Sequence, residues 1–499
     1  MRNGKSRQLH FVFADSPRRE SGGGQGEAPG EPGAAQWLQH ITKGKESAEL
    51  TSQTGGTGRL LERVASVPNL ARALRNVARN KGAAGVDGHS VEAVVQNVRR
   101  LLPMLQAALL NGTYRPGDVR RVWIPKPGGG QRGLGIPNVI DRWVQEAVRR
   151  VLEPIFEPTF HNSSHGFRPE RGAVTAIAQA KRYIAEGYSV VVDLDISKFF
   201  DRVNHQRLLS RLAQRVEDGR ILKLIHRMLK AKVVMPDGTK VAVTEGTPQG
   251  GPLSPLLSNI VLDELDWELE RRGHGFVRYA DDCNIYVRSQ QAGQRVMDSI
   301  RRYIERRLRL KVNEEKSSVS TPNRVHFLGF RVLMGRTGKH AGKVQVHLSE
   351  RSDQRMMQRI RELTPRTWGQ SLDMCIEEIN TYLRGWEGYF RLCTAGGAYR
   401  LHEYDGHIRR RLRLIIMRQK KRARHLYRHL RSRGVALQAA RNCAFRKRGL
   451  WYRSNMPGIQ RAYPNAWFEE RLMSLHELWR SHVPLEPQMA LDGQLLLPV

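Results

Sequence analysis

The sequence predicts an α+β fold that passes into a helical, strongly basic C-terminal part. Three observations carry this. Short β-rich runs between residues 120 and 335 alternate with helical segments, without the regular βα rhythm of a parallel sheet. Beyond residue 350 the pattern is helical. Across 499 residues, 83 Lys and Arg face 48 Asp and Glu, a net charge of +35. Such an excess repels itself in a compact state unless a polyanion neutralises it, so nucleic acid is the expected partner. A membrane surface is the other polyanion, but no long apolar segment or lipidation signal supports it. The start lacks the apolar core of a secretory signal, and the four cysteines show no paired spacing. These features predict a cytoplasmic protein with buried reduced thiols, without a disulfide framework or zinc site.

Taken in order, residues 1–57 are rich in Gly, Ser, Glu and Pro and are expected to be a disordered tail. Helical periodicity runs from 59 to 110 and breaks at 80–88, where three glycines predict a loop that approaches something closely. Residues 122–137 read as strand, glycine turn and second strand, carrying Lys126 and Arg132. Residues 189–196 form an apolar strand with Asp193 and Asp195 on one face, because side chains alternate. Acids there are costly unless paired, hydrogen-bonded or metal-bound. A helix is expected over 206–213. Residues 246–255 form a glycine-rich loop that carries Gln249 and feeds a helix from near Leu253.

The run Phe276-Val277-Arg278-Tyr279-Ala280-Asp281-Asp282, continuing to Ile285-Tyr286-Val287, predicts a β-hairpin with two acids at its tip. A further strand is expected over 326–333. Leu372, Ile376, Ile379, Leu383 and Trp386 recur at helical spacing and belong to a core stripe. Residues 408–453 hold 17 Lys and Arg and no acid, interleaved with His, Tyr and Trp. That mixture suits contact with an RNA backbone and stacking on its bases.

A lone Asp-Asp pair is usually a solvated turn. Here a third carboxylate and several phosphate-gripping segments accompany it. If the 189–196 strand pairs beside the hairpin, Asp195 meets Asp281 and Asp282. Three hard oxygen donors then suit two Mg²⁺ ions and in-line displacement at phosphorus. The lack of a Cys or His cluster favours Mg²⁺ over zinc. Lys126 and Arg132 could clamp a triphosphate. Gln249 and the loop amides beside it could meet the incoming nucleotide or the template.

In their order, these blocks resemble the reverse transcriptase family, and specifically its group II intron-encoded kind. They are Asn80-Lys-Gly-Ala-Ala-Gly-Val-Asp-Gly, Ile124-Pro-Lys, Leu134-Gly-Ile-Pro, Asp141-Arg, Leu152-Glu-Pro-Ile-Phe-Glu-Pro, Gly166-Phe-Arg-Pro, Asp195-Ile-Ser-Lys-Phe-Phe-Asp, Gly246-Thr-Pro-Gln-Gly, Tyr279-Ala-Asp-Asp and Phe327-Leu-Gly-Phe. Leu383-Arg-Gly-Trp-Glu-Gly-Tyr-Phe and Ile408-Arg-Arg-Arg-Leu-Arg resemble the maturase region.

The resemblance implies a right-hand polymerase. An N-terminal finger extension would span 58–120, fingers and palm 121–340, a helical thumb and maturase domain 341–435, and a basic nucleic-acid-binding region 436–499. It also implies Asp195, Asp281 and Asp282 as catalytic metal ligands. Phe200 would exclude a ribose 2′-hydroxyl, Lys316 would support the site, and Lys126, Arg132 and Gln249 would contact nucleotide. The RNA contacts would be Arg384, Arg409, Arg410, Arg411, Arg413, Lys420, Lys421 and Arg422. Implied partners are a group II intron RNA, a DNA primer or target, and deoxynucleoside triphosphates.

The sequence departs from the family pattern at Gly133, where proline is usual, at His165, where an aromatic is usual, and at Ser197-Lys198, in place of Lys-Gly. A C-terminal nuclease with paired Cys and His is not expected, so the primer would come from elsewhere. The rival readings are a splicing-only maturase, a cellular reverse transcriptase serving defence, diversification or spacer acquisition, and a nucleotide cyclase.

Overall fold

The strands are, in chain order, β1 Val119–Pro125, β2 Gln131–Ile136, β3 Val190–Asp195, β4 Val233–Val234, β5 Lys240–Val241, β6 Gly275–Tyr279, β7 Asp282–Val287, β8 Ser318–Ser320, β9 Phe330–Met334, β10 Val344–Leu348, β11 Gln488–Met489 and β12 Leu495–Leu496. They are seen in a computed structural model that describes residues 57–125, 129–335, 341–365, 369, 371–481, 488–489 and 495–496. Two four-stranded sheets result, ordered β2-β1-β4-β5 and β6-β7-β3-β8, with two-stranded pairs β9-β10 and β11-β12. Strands and helices mix as an α+β fold. Lys126 and the tail up to residue 56 lie outside the described residues.

The chain separates into two units. The first gathers the residues up to Gly172, Leu194–Asn284 and Arg295–Ser318. Its helical part packs Val67–Arg79 against Val139–Phe156. There the indole of Trp143, 0% exposed, donates to the Leu70 carbonyl at 2.7 Å. The 80–88 loop makes the close approach that its glycines predict. Asn138 Oδ1 accepts from the amides of Val86 and Asp87 at 2.9 and 3.3 Å, and Arg142 donates to the Ala83 carbonyl at 2.6 Å. A Cβ at Gly82 or Gly85 would collide with Arg142 or Asn138. Antiparallel pairing of β1 with β2 sets Ile124 opposite Arg132, and β1 runs parallel to β4.

The second unit holds Ala173–Asp193, Ile285–Gln294 and the chain from Val319 onward. Helix Leu372–Phe390 buries Ile376, Ile379, Leu383 and Trp386 as the stripe predicts. Cys375 completes the buried face, and Leu372 is only half-buried. All four cysteines are buried free thiols. One expectation is corrected: β9 begins at Phe330, not at 326. Leu328 and Gly329 have φ of 53° and 84°, left-handed values that form a turn and cannot continue a strand.

Candidate active site and nucleic-acid interface

The two-residue connection between β6 and β7 makes the expected tight hairpin. Its first residue, Ala280, holds φ at 58°, and Asp281 follows it directly. In the sheet, β7 lies beside β3, so the C-terminal end of β3 brings Asp195 toward the hairpin. The backbone of Asp195 is held on both sides: its amide donates to Ser317 Oγ at 3.0 Å, and its carbonyl accepts from the Asn313 amide at 2.8 Å. Lys316 stands on the same turn, its Nζ 3.8 Å from Asp195 Oδ2.

The three carboxylates sense one another. Partial burial raises Asp281, Asp195 raises it further, and Arg132 and Lys316 oppose the rise. The surrounding protein, then Asp281 and Asp195, push Asp282 up to about 6, even though its side chain reaches solvent. Among the described residues, no three His, Cys, Asp or Glu side chains close around a single ion. The acids form an open, mutually repelling set that faces cations.

Arg132 belongs to both the acids' field and a neighbouring cavity of about 430 Å³. Arg132, Arg142, Phe167, Phe200 and Gln249 all line it. Arg132 Nε donates to Gln249 Oε1 at 2.8 Å, which couples the β1–β2 turn to the glycine loop. That loop is tied down in turn: Thr247 N donates to Phe200 O at 2.6 Å, and Gly135 N to Gln249 O at 2.9 Å. Phe200 is largely buried, packed edge-on against Phe199, with a remnant of its ring facing the cavity. Helix Ser254–Arg271 starts where the loop ends, as predicted. Sequence reasoning missed Arg142 and Phe167. Each stands within a family-like block, Asp141-Arg142 and Gly166-Phe167-Arg168-Pro169, but no spacing marks either as facing a cavity.

The second unit sorts the expected RNA-contacting cations. Arg384, Lys421 and Arg422 are exposed, and Arg409 and Lys420 are half-exposed. Arg413 is not on the surface: its guanidinium is buried and donates to the Tyr463 carbonyl at 2.9 Å and to Asn465 Oδ1 at 3.1 Å. Arg411 likewise donates to Thr364 Oγ1 and the Thr364 carbonyl, both at 2.5 Å. These two tie helix Ala395–Gln419 to its neighbours, Arg413 from a buried position and Arg411 from a half-exposed one. Arg410 lies 3.9 Å over the Trp451 ring. Around it the short helices Leu437–Phe445 and Leu450–Arg453 expose Phe445 (49%), Trp451 (38%) and Tyr452 (51%) beside Arg446 and Arg448.

An acid-tipped hairpin beside an acid-bearing strand and a cation-lined cavity is an arrangement suited to nucleotidyl transfer, and the basic helices of the second unit suit a polyanionic partner. Residues 124–332 match the family described as reverse transcriptase (RNA-dependent DNA polymerase), and residues 353–434 match the group II intron maturase-specific domain. The chain belongs to the group II intron-encoded reverse transcriptase and maturase family. Protein YkfC of Escherichia coli K12 is 33% identical over 320 residues, 56% of this chain and 84% of YkfC. The group II intron-encoded protein LtrA of Lactococcus lactis is 31% identical over 348 residues, and this chain spans 56% of its length. A partial Cas6-RT-Cas1–Cas2 complex superposes loosely, with TM-score 0.32 and 25% identity over 51% of this chain and 43% of that one. Among the described residues, no helix is long and apolar enough to cross a membrane.

Proposed function

We propose that this protein copies its own intron RNA into DNA and binds that RNA to assist splicing and mobility. The single observation that carries the reading is the convergence of Asp195, Asp281 and Asp282 in one electrostatic neighbourhood beside a cavity lined by Arg132 and Gln249. Reverse transcriptases use divalent metal ions, and the donor set suits Mg²⁺. This ion takes one or two carboxylates and completes its shell with water and substrate phosphate, so it needs no closed protein cage. Asp195, Asp281 and Asp282 would hold two such ions, whose chemistry is to activate the primer 3′-hydroxyl and stabilise the leaving pyrophosphate.

The remaining roles fall to the chain's own side chains. Arg132 grips the triphosphate, and Gln249 fixes its guanidinium in place. Phe200 floors the sugar pocket with a ring that leaves no room for a 2′-hydroxyl. Lys316 balances the charge of Asp195 before substrate arrives. In the second unit, Arg384, Arg409, Lys420, Lys421 and Arg422 take RNA phosphates, and the exposed rings at 445–452 stack on unpaired bases.

The test is primer extension on an RNA template with deoxynucleotides and Mg²⁺. The intact protein is expected to make templated DNA. Asp195→Asn and Asp281→Ala are expected to lose on the order of a thousandfold in rate, the several kcal/mol that metal-held charge supplies. Intron RNA affinity is expected to stay unchanged in both. Extension at the intact rate by Asp281→Ala would overturn the polymerase reading and leave a maturase that only binds.

A further inference from the structure

Directly behind the acid-bearing turn lies a buried cation that the polymerisation chemistry does not touch. Arg278, in β6, is fully enclosed, and so is its partner Asp266 on helix Ser254–Arg271. The guanidinium forks onto that carboxylate, with Nε to Oδ1 at 2.6 Å and Nη2 to Oδ2 at 2.5 Å. Nη2 also donates to Ser164 Oγ at 2.7 Å, and Nη1 donates to Asn259 Oδ1 at 3.1 Å. The last N–H, on Nη1, reaches the Ala280 carbonyl at 2.9 Å. An arginine carries five N–H donors, and all five are used here.

The bond to Ala280 is the informative one, because that carbonyl immediately precedes Asp281. The turn it holds has two reasons to relax. Ala280 sits at a left-handed φ of 58°, which a residue with a Cβ rarely adopts, and two adjacent carboxylates repel across the tip. The underside of the turn is fixed by the same network. Asn259 Nδ2 donates to the Gly166 carbonyl at 2.9 Å, and a Cβ at Gly166 would collide with the Ala280 amide. Ser163 O accepts from the Arg278 amide at 2.8 Å, and the Arg278 carbonyl accepts from the His165 amide at 2.9 Å. A buried ion pair adds little net stability over a well-packed apolar pair, so such a pair is better explained by the geometry it specifies.

We propose that Arg278, clamped by Asp266 and Asn259, is a positioning residue for catalysis that fixes the Ala280 carbonyl and so aims Asp281 and Asp282. This rests on the polymerase reading above. A lysine cannot replace it, since a point charge cannot meet the Asp266 fork and the Ala280 carbonyl together.

The test compares the intact protein with Arg278→Lys and with the paired apolar replacement Arg278→Leu/Asp266→Leu, which leaves no unpaired buried charge. Four quantities are measured: thermal midpoint, template–primer affinity, Mn²⁺ affinity of the free protein by electron paramagnetic resonance, and steady-state extension. The paired variant is expected to melt below the intact protein, because the Asn259, Ser164 and Ala280 oxygens lose their donor, and to bind template–primer equally. Its Mn²⁺ affinity is expected to fall about 10- to 100-fold, as outer-shell losses do. Its kcat is expected to fall about 100-fold, the effect of a misplacement near 1 Å, with KM for deoxynucleotide within about threefold. Arg278→Lys is expected to lie between the two in Mn²⁺ affinity and kcat.

A paired variant with the intact protein's Mn²⁺ affinity and kcat would overturn the proposal. If the paired variant fails to fold, Arg278→Lys decides: unchanged kcat, Mn²⁺ affinity and amide exchange at residues 279–283 would overturn it equally. An intact protein that binds Mn²⁺ but extends no primer would sink the polymerase reading instead, and the Mn²⁺ comparison would still test the clamp.

Discussion

Lys198 is the residue at which a departure from the family pattern acquires a physical meaning. Its φ of 49° lies in the left-handed region, at the start of the short helix Phe199–Arg202 and three residues after Asp195. Glycine, usual in the family at this point, adopts that conformation freely, whereas an L side chain there costs about 1–2 kcal/mol. Lys198→Gly is therefore expected to stabilise the protein by about 1 kcal/mol, part of the gain being lost to the unfolded chain's extra freedom. Urea denaturation would read this as a raised midpoint at constant slope, and a lowered midpoint would show that the lysine side chain compensates for its own strain. The acids proposed to hold metal were legible because adjacent carboxylates in an apolar alternating run are costly unless a cation meets them. Arg278 left a fainter mark. It shares a strand face with Phe276, which is 1% exposed, so an arginine stood on the buried side of the run. Its partner Asp266 lies on a helix that no spacing rule connects to that strand. Arg413 escapes a sequence reading for a related reason: charge density counts arginines but does not say which of them point inward.

Strands and hairpins were the readable elements, because period-two alternation is strong over six or seven residues. Helix Leu372–Phe390 was readable from its stripe. What the pattern hid was the turn at Leu328–Gly329, where local φ values override an apolar run. The helices Leu437–Phe445 and Leu450–Arg453 were legible only as charge, and their arrangement adds a set of half-exposed rings beside cations. Stacking and phosphate pairing differ in their response to salt. Trp451→Ala with Tyr452→Ala is expected to weaken binding to RNA with unpaired loops about tenfold or more, given about 1–3 kcal/mol per stacked base. The slope of log affinity against log salt is expected to stay unchanged. A drop in that slope would mean that the rings only support neighbouring arginines.

At the scale of the whole molecule, the charge of +35 has to be neutralised by the partner, and that is measurable. Replacing Arg409, Lys420 and Lys421 by Gln is expected to reduce the salt slope by about 0.7–0.9 for each phosphate that is no longer neutralised, while primer extension on a short template keeps its kcat. An unchanged slope would place the RNA on another face. Order of motifs, composition and charge made the broad architecture readable from the chain alone. The paths of individual side chains were not, because they depend on neighbours a hundred or more residues away, as Arg132 does on Gln249.

The inward turn of Arg413 bears on how this protein would meet a digestive enzyme. Residues 408–453 offer trypsin 17 cleavage points, yet several of those side chains are sewn to distant carbonyls: Arg413 to Tyr463, Arg433 to Ala462, and Arg453 to Cys443. Scission at an exposed neighbour such as Lys421 would nick the backbone without freeing the pieces, and the two fragments would travel together until a denaturant undid the stitching.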